Sequence, residues 1–331
     1  MALKDINFTD LLLSNSGQAR LRGVPGQGQR MIPVPEDCMQ EVREMPIALR
    51  EAWLAKNLPA IRFEHNEVIY RVSHAPDINF GQCWFMRRMP SNVPSLEQLK
   101  VPQYLGSFLM HPSINHGLIL FSGSQGSGKT TLASSLIKTR LTTFGGLAVT
   151  FESPAEMPLS GYYGDFGQCI QAEVPSEDAL PDLIQRSHMF AQPNIIFIGE
   201  IKSAIAAMEA LRASLGSKEQ MVIATIHGTN IISALQRLLL WGKELDGANA
   251  SMNLAMSLTA IIQLSLENDG QGKRLSSPEF LLCPYEGEFS KTVRSKIRSG
   301  TLQALEGDIN RLKSIIMHSQ GGIESIISGA I

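Results

Sequence analysis

Residues Gly123, Ser124, Gln125, Gly126, Ser127, Gly128, Lys129 and Thr130 follow the spacing G-x-x-x-x-G-K-[ST] without mismatch. That spacing makes a phosphate cradle. Glycines let successive backbone N–H groups curl around one anion, and a helix starting at the loop adds the positive end of its dipole. In such a cradle Lys129 reaches the β- and γ-phosphates of a nucleoside triphosphate and the Thr130 hydroxyl ligates Mg2+. Thr131, next in the chain, completes the expected nucleotide-binding set. An apolar run at 117–121 precedes the loop and a stretch of helical composition follows it, so strand, loop and helix agree with the motif.

Three further side chains could join that chemistry. The run Ile195, Ile196, Phe197, Ile198 reads as a buried strand and ends in Gly199 and Glu200, the form of a Walker B strand. Glu200 would stand beside the loop, where it either holds the Mg2+ shell or polarises the attacking water. A second strand, 147–151, also ends in a carboxylate, Glu152. A third, 221–225, leads into His227. A lone histidine is more often structural than functional, but strand ends of a parallel sheet open into one crevice, which is where α/β proteins bind ligands.

The elements that position these residues follow from the pattern of apolar runs. From about residue 116, runs of four to six apolar residues at 118–121, 147–151, 195–198 and 221–225 alternate with helical stretches at 130–141, 178–190 and 204–215. That alternation predicts a parallel sheet covered by helices, in the order of a RecA-like core. The preceding part reads as a smaller α+β domain ending near residue 105: a helix over 37–55, strands around 68–72 and 83–88, and a short Ser-capped helix at 95–99. The first forty residues read as irregular, with a Gly- and Pro-rich loop at 23–30. The expected domains are therefore 1–105 and 106–331.

Composition narrows the class. The 331 residues are 44% hydrophobic with net charge −2, enough for two cores and without the basic excess that tracks a nucleic-acid backbone or an anionic membrane. No apolar run nears the ~20 residues that span a bilayer, and the acidic start lacks the form of a signal peptide, so a soluble cytoplasmic protein is expected. Cys38, Cys83, Cys169 and Cys283 lie far apart, and none of the seven histidines has metal-ligand spacing. Reduced thiols are expected, and no transition-metal site.

Taken in order, Gly123 to Thr130, Thr150-Phe151-Glu152-Ser153-Pro154-Ala155-Glu156, Gly199-Glu200-Ile201-Lys202 and Thr225-Ile226-His227-Gly228-Thr229-Asn230 resemble the four signatures of the secretion ATPase superfamily. Within it the chain is similar to PilT-like pilus retraction motors and to DotB-like ATPases of type IV secretion and conjugation. The resemblance, which runs from about Phe63 to Gly300, implies a homohexamer in which each subunit pairs a PAS-like N-domain with a RecA-like C-domain and holds Mg-ATP between them. It implies Glu152 as general base, Glu200 as Walker B acid and His227 as sensor of the γ-phosphate. Arg71 and Arg87 match arginines that reach the phosphates, with Arg88 as a substitute for Arg87, and Arg186 and Arg237 stand where relatives carry arginines. The implied partners are inner-membrane platform proteins of a pilus or secretion system. They would hold the motor at the inner face of that membrane, without direct contact to nucleic acid.

Two departures bear on the chemistry. Ser153 replaces an Asp of the acidic box, removing one carboxylate, and Lys202 replaces an Arg, keeping charge but losing the planar fork. Segment 292–298 faintly resembles a C-terminal basic motif of retraction motors. Two other readings fit parts of the pattern: a DNA-acting RecA-like ATPase, and a nucleotide-gated interaction module with little hydrolysis.

Overall fold

The structure, a computed structural model, describes residues 2–56, 58, 60–217, 219–268, 273–275, 278–285, 287–318 and 322–330. The chain divides into two compact units, one of Met1–Asn92 with Ser153–Pro158 and one of Val93–Glu152 with Leu159–Ile331.

The first unit is an antiparallel sheet backed by one helix. Its strands are β1 (Asp10–Ser14), β2 (Ala19–Arg22), β3 (Ile32–Pro33), β4 (Ile61–His65), β5 (Val68–Asp77) and β6 (Gly81–Arg88), and its helix is α1 (Met39–Lys56). They lie in the order β3-β2-β1-β6-β5-β4. Alternation puts Leu11, Leu13, Leu21, Ile61, Tyr70, Val72, Trp84 and Met86 in one core with Val42, Met45 and Leu49 of α1. A half-buried sheet of this kind needs one apolar face only.

The expected irregular start is corrected here. Residues 10–14 and 19–22 form strands, and β1 sits inside the sheet between β2 and β6. Leu12 breaks the alternation of β1 in the sequence, and its partner β6 lies some seventy residues away, so no local window shows the pairing. Segment 23–30 is made of turns, in keeping with its glycines and proline.

The division also falls before the expected boundary near residue 105. Val93 and Leu96 are buried, and Lys138 Nζ donates to the Val93 carbonyl at 2.6 Å, so this stretch packs with the second unit. The expected helix at 95–99 is instead a turn over 96–100.

The second unit holds α2 (Gln103–Leu109), β7 (Gly117–Gly123), α3 (Lys129–Phe144), β8 (Gly146–Glu152), β9 (Gly161–Tyr163), β10 (Gly167–Glu173), α4 (Leu180–Phe190), β11 (Ile195–Ile201), α5 (Ala204–Ala213), β12 (Met221–His227), α6 (Ile231–Asp246), α7 (Asn249–Ser257) and β13 (Leu258–Leu264). A hairpin β14 (Leu266–Asn268) and β15 (Lys273–Leu275), strand β16 (Glu279–Leu282) and helices α8 (Glu288–Arg298), α9 (Leu305–His318) and α10 (Gly322–Ile327) complete it. The large sheet runs β16-β13-β7-β12-β11-β8-β10-β9. Strands β13 through β10 of that order are mutually parallel, and β16 and β9 close the two edges antiparallel. Strand β7 is buried along its whole length, as expected of a strand covered on both faces. All four predicted core strands and three predicted helices are present. Because β7, β8, β11 and β12 are parallel, their C-terminal ends share one edge.

Among the described residues no helix is long and apolar enough to cross a membrane. None of the four cysteines is joined in a disulfide.

Candidate functional site

The loop from Gly123 to Gly128 connects the end of β7 to the start of α3. Gly128, at φ 88°, takes the left-handed conformation that an L side chain rarely adopts, and it caps α3 without a side-chain hydrogen bond. The first-turn N–H groups therefore face the loop, and no acidic residue stands in that turn. This is an anion cradle by construction. Ser127 is buried, Ser124, Gln125 and Gly126 are exposed, and Thr130 and Thr131 are half-buried in the first turn of α3.

Lys129 is buried, and its ammonium donates to the carbonyls of Gly123 at 3.0 Å and Ser124 at 2.8 Å. It lies 3.5 Å from His227 Nδ1. On the other side of the ring, His227 Nε2 is 2.8 Å from Glu200 Oε1. Strand register explains the line: His227 ends β12 directly beside Gly123 at the end of β7, while Glu200 lies near the end of neighbouring β11. Thr225 Oγ1 donates to the Gly199 carbonyl at 2.5 Å, tying β12 to β11 just before both functional side chains.

Glu152 ends β8 on the same edge and is only 3% exposed. Its Oε1 accepts from Thr150 Oγ1 at 2.8 Å and from Gln171 Nε2 at 3.0 Å. A β-carbon on Gly199 would come within 2.8 Å of Glu152 Cγ, so the glycine preceding Glu200 makes room for the second carboxylate. The Cys169 thiol, on β10, is pushed up to about 12 by burial and by the charge of Glu152. Gln171 was not expected from the sequence. Its only signal there is an amide inside a strand, and its pairing with Thr150 across β10 and β8 appears once the parallel register is known.

The arginines assemble differently. Arg22, Asp10, Arg87, Arg71 and Arg62 stand at one register across β2, β1, β6, β5 and β4. Like charges placed opposite one another repel, and carboxylates interleave to offset this. Asp10 bonds Arg87 Nε at 2.9 Å and Arg22 Nε at 3.0 Å, and Arg71 Nη1 bonds Glu156 Oε1 at 2.7 Å. Burial pushes the Asp10 carboxyl up, but the bonds from Arg87, Thr9 and Arg22 outweigh it and hold the group below its ordinary value. Arg88 donates to the carbonyls of Ile6 and Lys4 and covers the Phe8 ring, which makes it a clasp for the N-terminal segment.

In the second unit, Arg186 pairs with Asp182 one helical turn away, and Arg237 stacks over Trp241. Neither of these contacts involves the loop. Lys202 lies 3.5 Å from Glu177, whose other oxygen accepts from Ser203, the N-cap of α5. Segment 292–298 lies in α8, where Val293 and Ile297 are buried and Arg294 donates to the carbonyls of Ala255, Met256, Cys283 and Pro284.

The family described as Type II/IV secretion system protein matches residues 56–305. The chain belongs to this family. Among relatives of this secretion family, the Type IV pilus ATPase PilU of Pseudomonas aeruginosa is 26% identical over 238 residues, which cover 71% of this chain and 56% of PilU. The Escherichia coli protein YggR, itself uncharacterised, is 29% identical over 289 residues, or 83% of this chain and 82% of YggR. Two solved structures share the fold of this family member. The Legionella pneumophila ATPase DotB has a TM-score of 0.69 at 18% identity, covering 99% of this chain and 93% of DotB. The pilus retraction motor PilT with bound ADP also has a TM-score of 0.69, at 22% identity, covering 92% of this chain and 86% of PilT.

Proposed function

We propose that the chain is an ATP-hydrolysing motor subunit of a type IV pilus or type IV secretion machine, working as a homohexamer. The observation that carries the reading is Glu152. A buried carboxylate that accepts from Thr150 and Gln171, on the sheet edge that also bears Glu200 and His227 and that the Lys129 ammonium meets at Gly123, is the arrangement a hydrolytic site needs. Relatives that are ATPases by name, PilU, PilT and DotB, support it.

In this reading the N–H groups of the 123–128 loop and of the start of α3 hold the β- and γ-phosphates. The Lys129 ammonium exchanges loop carbonyls for phosphate oxygens. Thr130 and Glu200 would hold a Mg2+ ion, which supplies charge neutralisation on the phosphates. Glu152 accepts the proton of the attacking water. His227, bridging Lys129 and Glu200, senses the γ-phosphate through either neighbour. Arg71 and Arg87 stabilise transition-state charge once released from Glu156 and Asp10. The motor would act at the cytoplasmic face of the inner membrane through a platform protein of its machine.

Steady-state ATP hydrolysis by the wild type, Glu152→Gln and Lys129→Ala tests the proposal. Turnover that both substitutions depress supports it, whereas wild-type turnover no higher than that of Glu152→Gln would sink it. Light scattering with and without ATP checks the hexamer.

A further inference from the structure

Gln171 has no part in the chemistry above, yet it holds the group on which that chemistry turns. Its Oε1 accepts from the backbone N–H groups of Leu159 at 2.9 Å and Ser160 at 2.8 Å. Backbone N–H groups only donate, so the oxygen end of the amide must face them. The NH2 end is thereby turned toward Glu152, where Nε2 lies 3.0 Å from Oε1. The loop after the acidic box thus fixes which way the amide points, and the amide fixes the carboxylate.

We propose that Gln171 is a positioning residue for Glu152. It holds the carboxylate ionised and in one rotamer, ready to accept a proton from water. The inference rests on the reading of Glu152 as general base. A donor to a carboxylate favours its charged form, and second donors that orient an active group are worth about 10- to 100-fold in activity. The need for such a donor is acute here. Glu173 stands directly beside Glu152 on β10, a second carboxylate on the same register. A like charge and burial both favour the protonated form, and a donor to the carboxylate opposes them.

Gln171→Glu separates the two halves of the role. It keeps an acceptor for Leu159 and Ser160, so the loop stays anchored, and replaces the donor facing Glu152 with a second carboxylate. The expected result is a kcat lower by about 10- to 100-fold, nucleotide affinity within a few-fold of wild type, and an acidic limb of the pH–rate profile moved to higher pH. Gln171→Leu, which removes the donor without adding charge, should move the limb in the same direction, and circular dichroism establishes that each variant is folded. The Glu152 carboxyl is titrated in parallel by 13C NMR, its signal assigned by its loss in Glu152→Gln, and should titrate at higher pH in Gln171→Glu. A kcat and acidic limb indistinguishable from wild type, or an unmoved carboxyl titration, overturn the proposal. A wild-type protein that hydrolyses no ATP overturns the proposed function instead, and the carboxyl titration still decides whether Gln171 controls Glu152.

Discussion

The side chain of Glu152 fills the space that a β-carbon on Gly199 would occupy, with Cγ 2.8 Å from that position. The glycine ahead of Glu200 therefore serves the neighbouring strand as much as its own. Gly199→Ala should push Glu152 aside, because the contact is with the base of a buried side chain rather than a flexible end. A misplacement of about 1 Å in a reacting group can cost on the order of 100-fold in rate. We expect kcat to fall by that order with nucleotide affinity nearly unchanged, as read by steady-state kinetics and a fluorescent ATP analogue.

His227 spans Lys129 and Glu200 with its two ring nitrogens. Replacing it by Ala removes the bridge while leaving the cradle of backbone N–H groups in place. Turnover should drop by about 100-fold, the low end of the range for a positioned proton-transfer group, with ATP affinity changed only a few-fold. A loss confined to affinity would count against the sensor role.

Asp10 carries the pH dependence of the first unit. Its carboxyl is held below its ordinary value in the folded chain, so the stabilisation it contributes is present above the unfolded value near 4 and is lost as pH falls through the lower folded value. Asp10→Asn should destabilise this unit at neutral pH by about 1 kcal/mol, kept small because Arg87 is 58% exposed and water screens the pair. The same variant should lose stability less steeply as pH falls below about 4. Urea titrations followed by tryptophan fluorescence, with Trp84 in this core, measure both.

Arg71 and Glu156 form a half-exposed pair, worth less than about 1 kcal/mol. Glu156→Gln should therefore cost little stability and leave ATP turnover at or above wild type, since it frees the arginine. On the proposed role of Arg71, Arg71→Ala should lower turnover about 10-fold or more. Equal effects of the two substitutions on stability, with none on turnover, would reduce the pair to a structural contact.

Much of this protein was legible in one dimension. The Gly123–Thr130 spacing dictates an anion cradle because Gly and Lys at those positions have few other uses. Runs such as 118–121 and 195–198, apolar on both faces, specify covered parallel strands. Carboxylates and a histidine placed after such runs must reach the same edge, so Glu152, Glu200 and His227 could be named before any coordinate. Tertiary structure decided what depends on register and on distant partners. β1 became an inner strand only by pairing with β6, and Asp10 thereby met Arg87 and Arg22. Gln171 reached Glu152 because parallel pairing sets β10 beside β8, and the Gly199 requirement exists only where β11 passes the Glu152 side chain. Local pattern encodes which residues can do chemistry, whereas their orientation comes from hydrogen bonds between strands that the sequence does not place side by side.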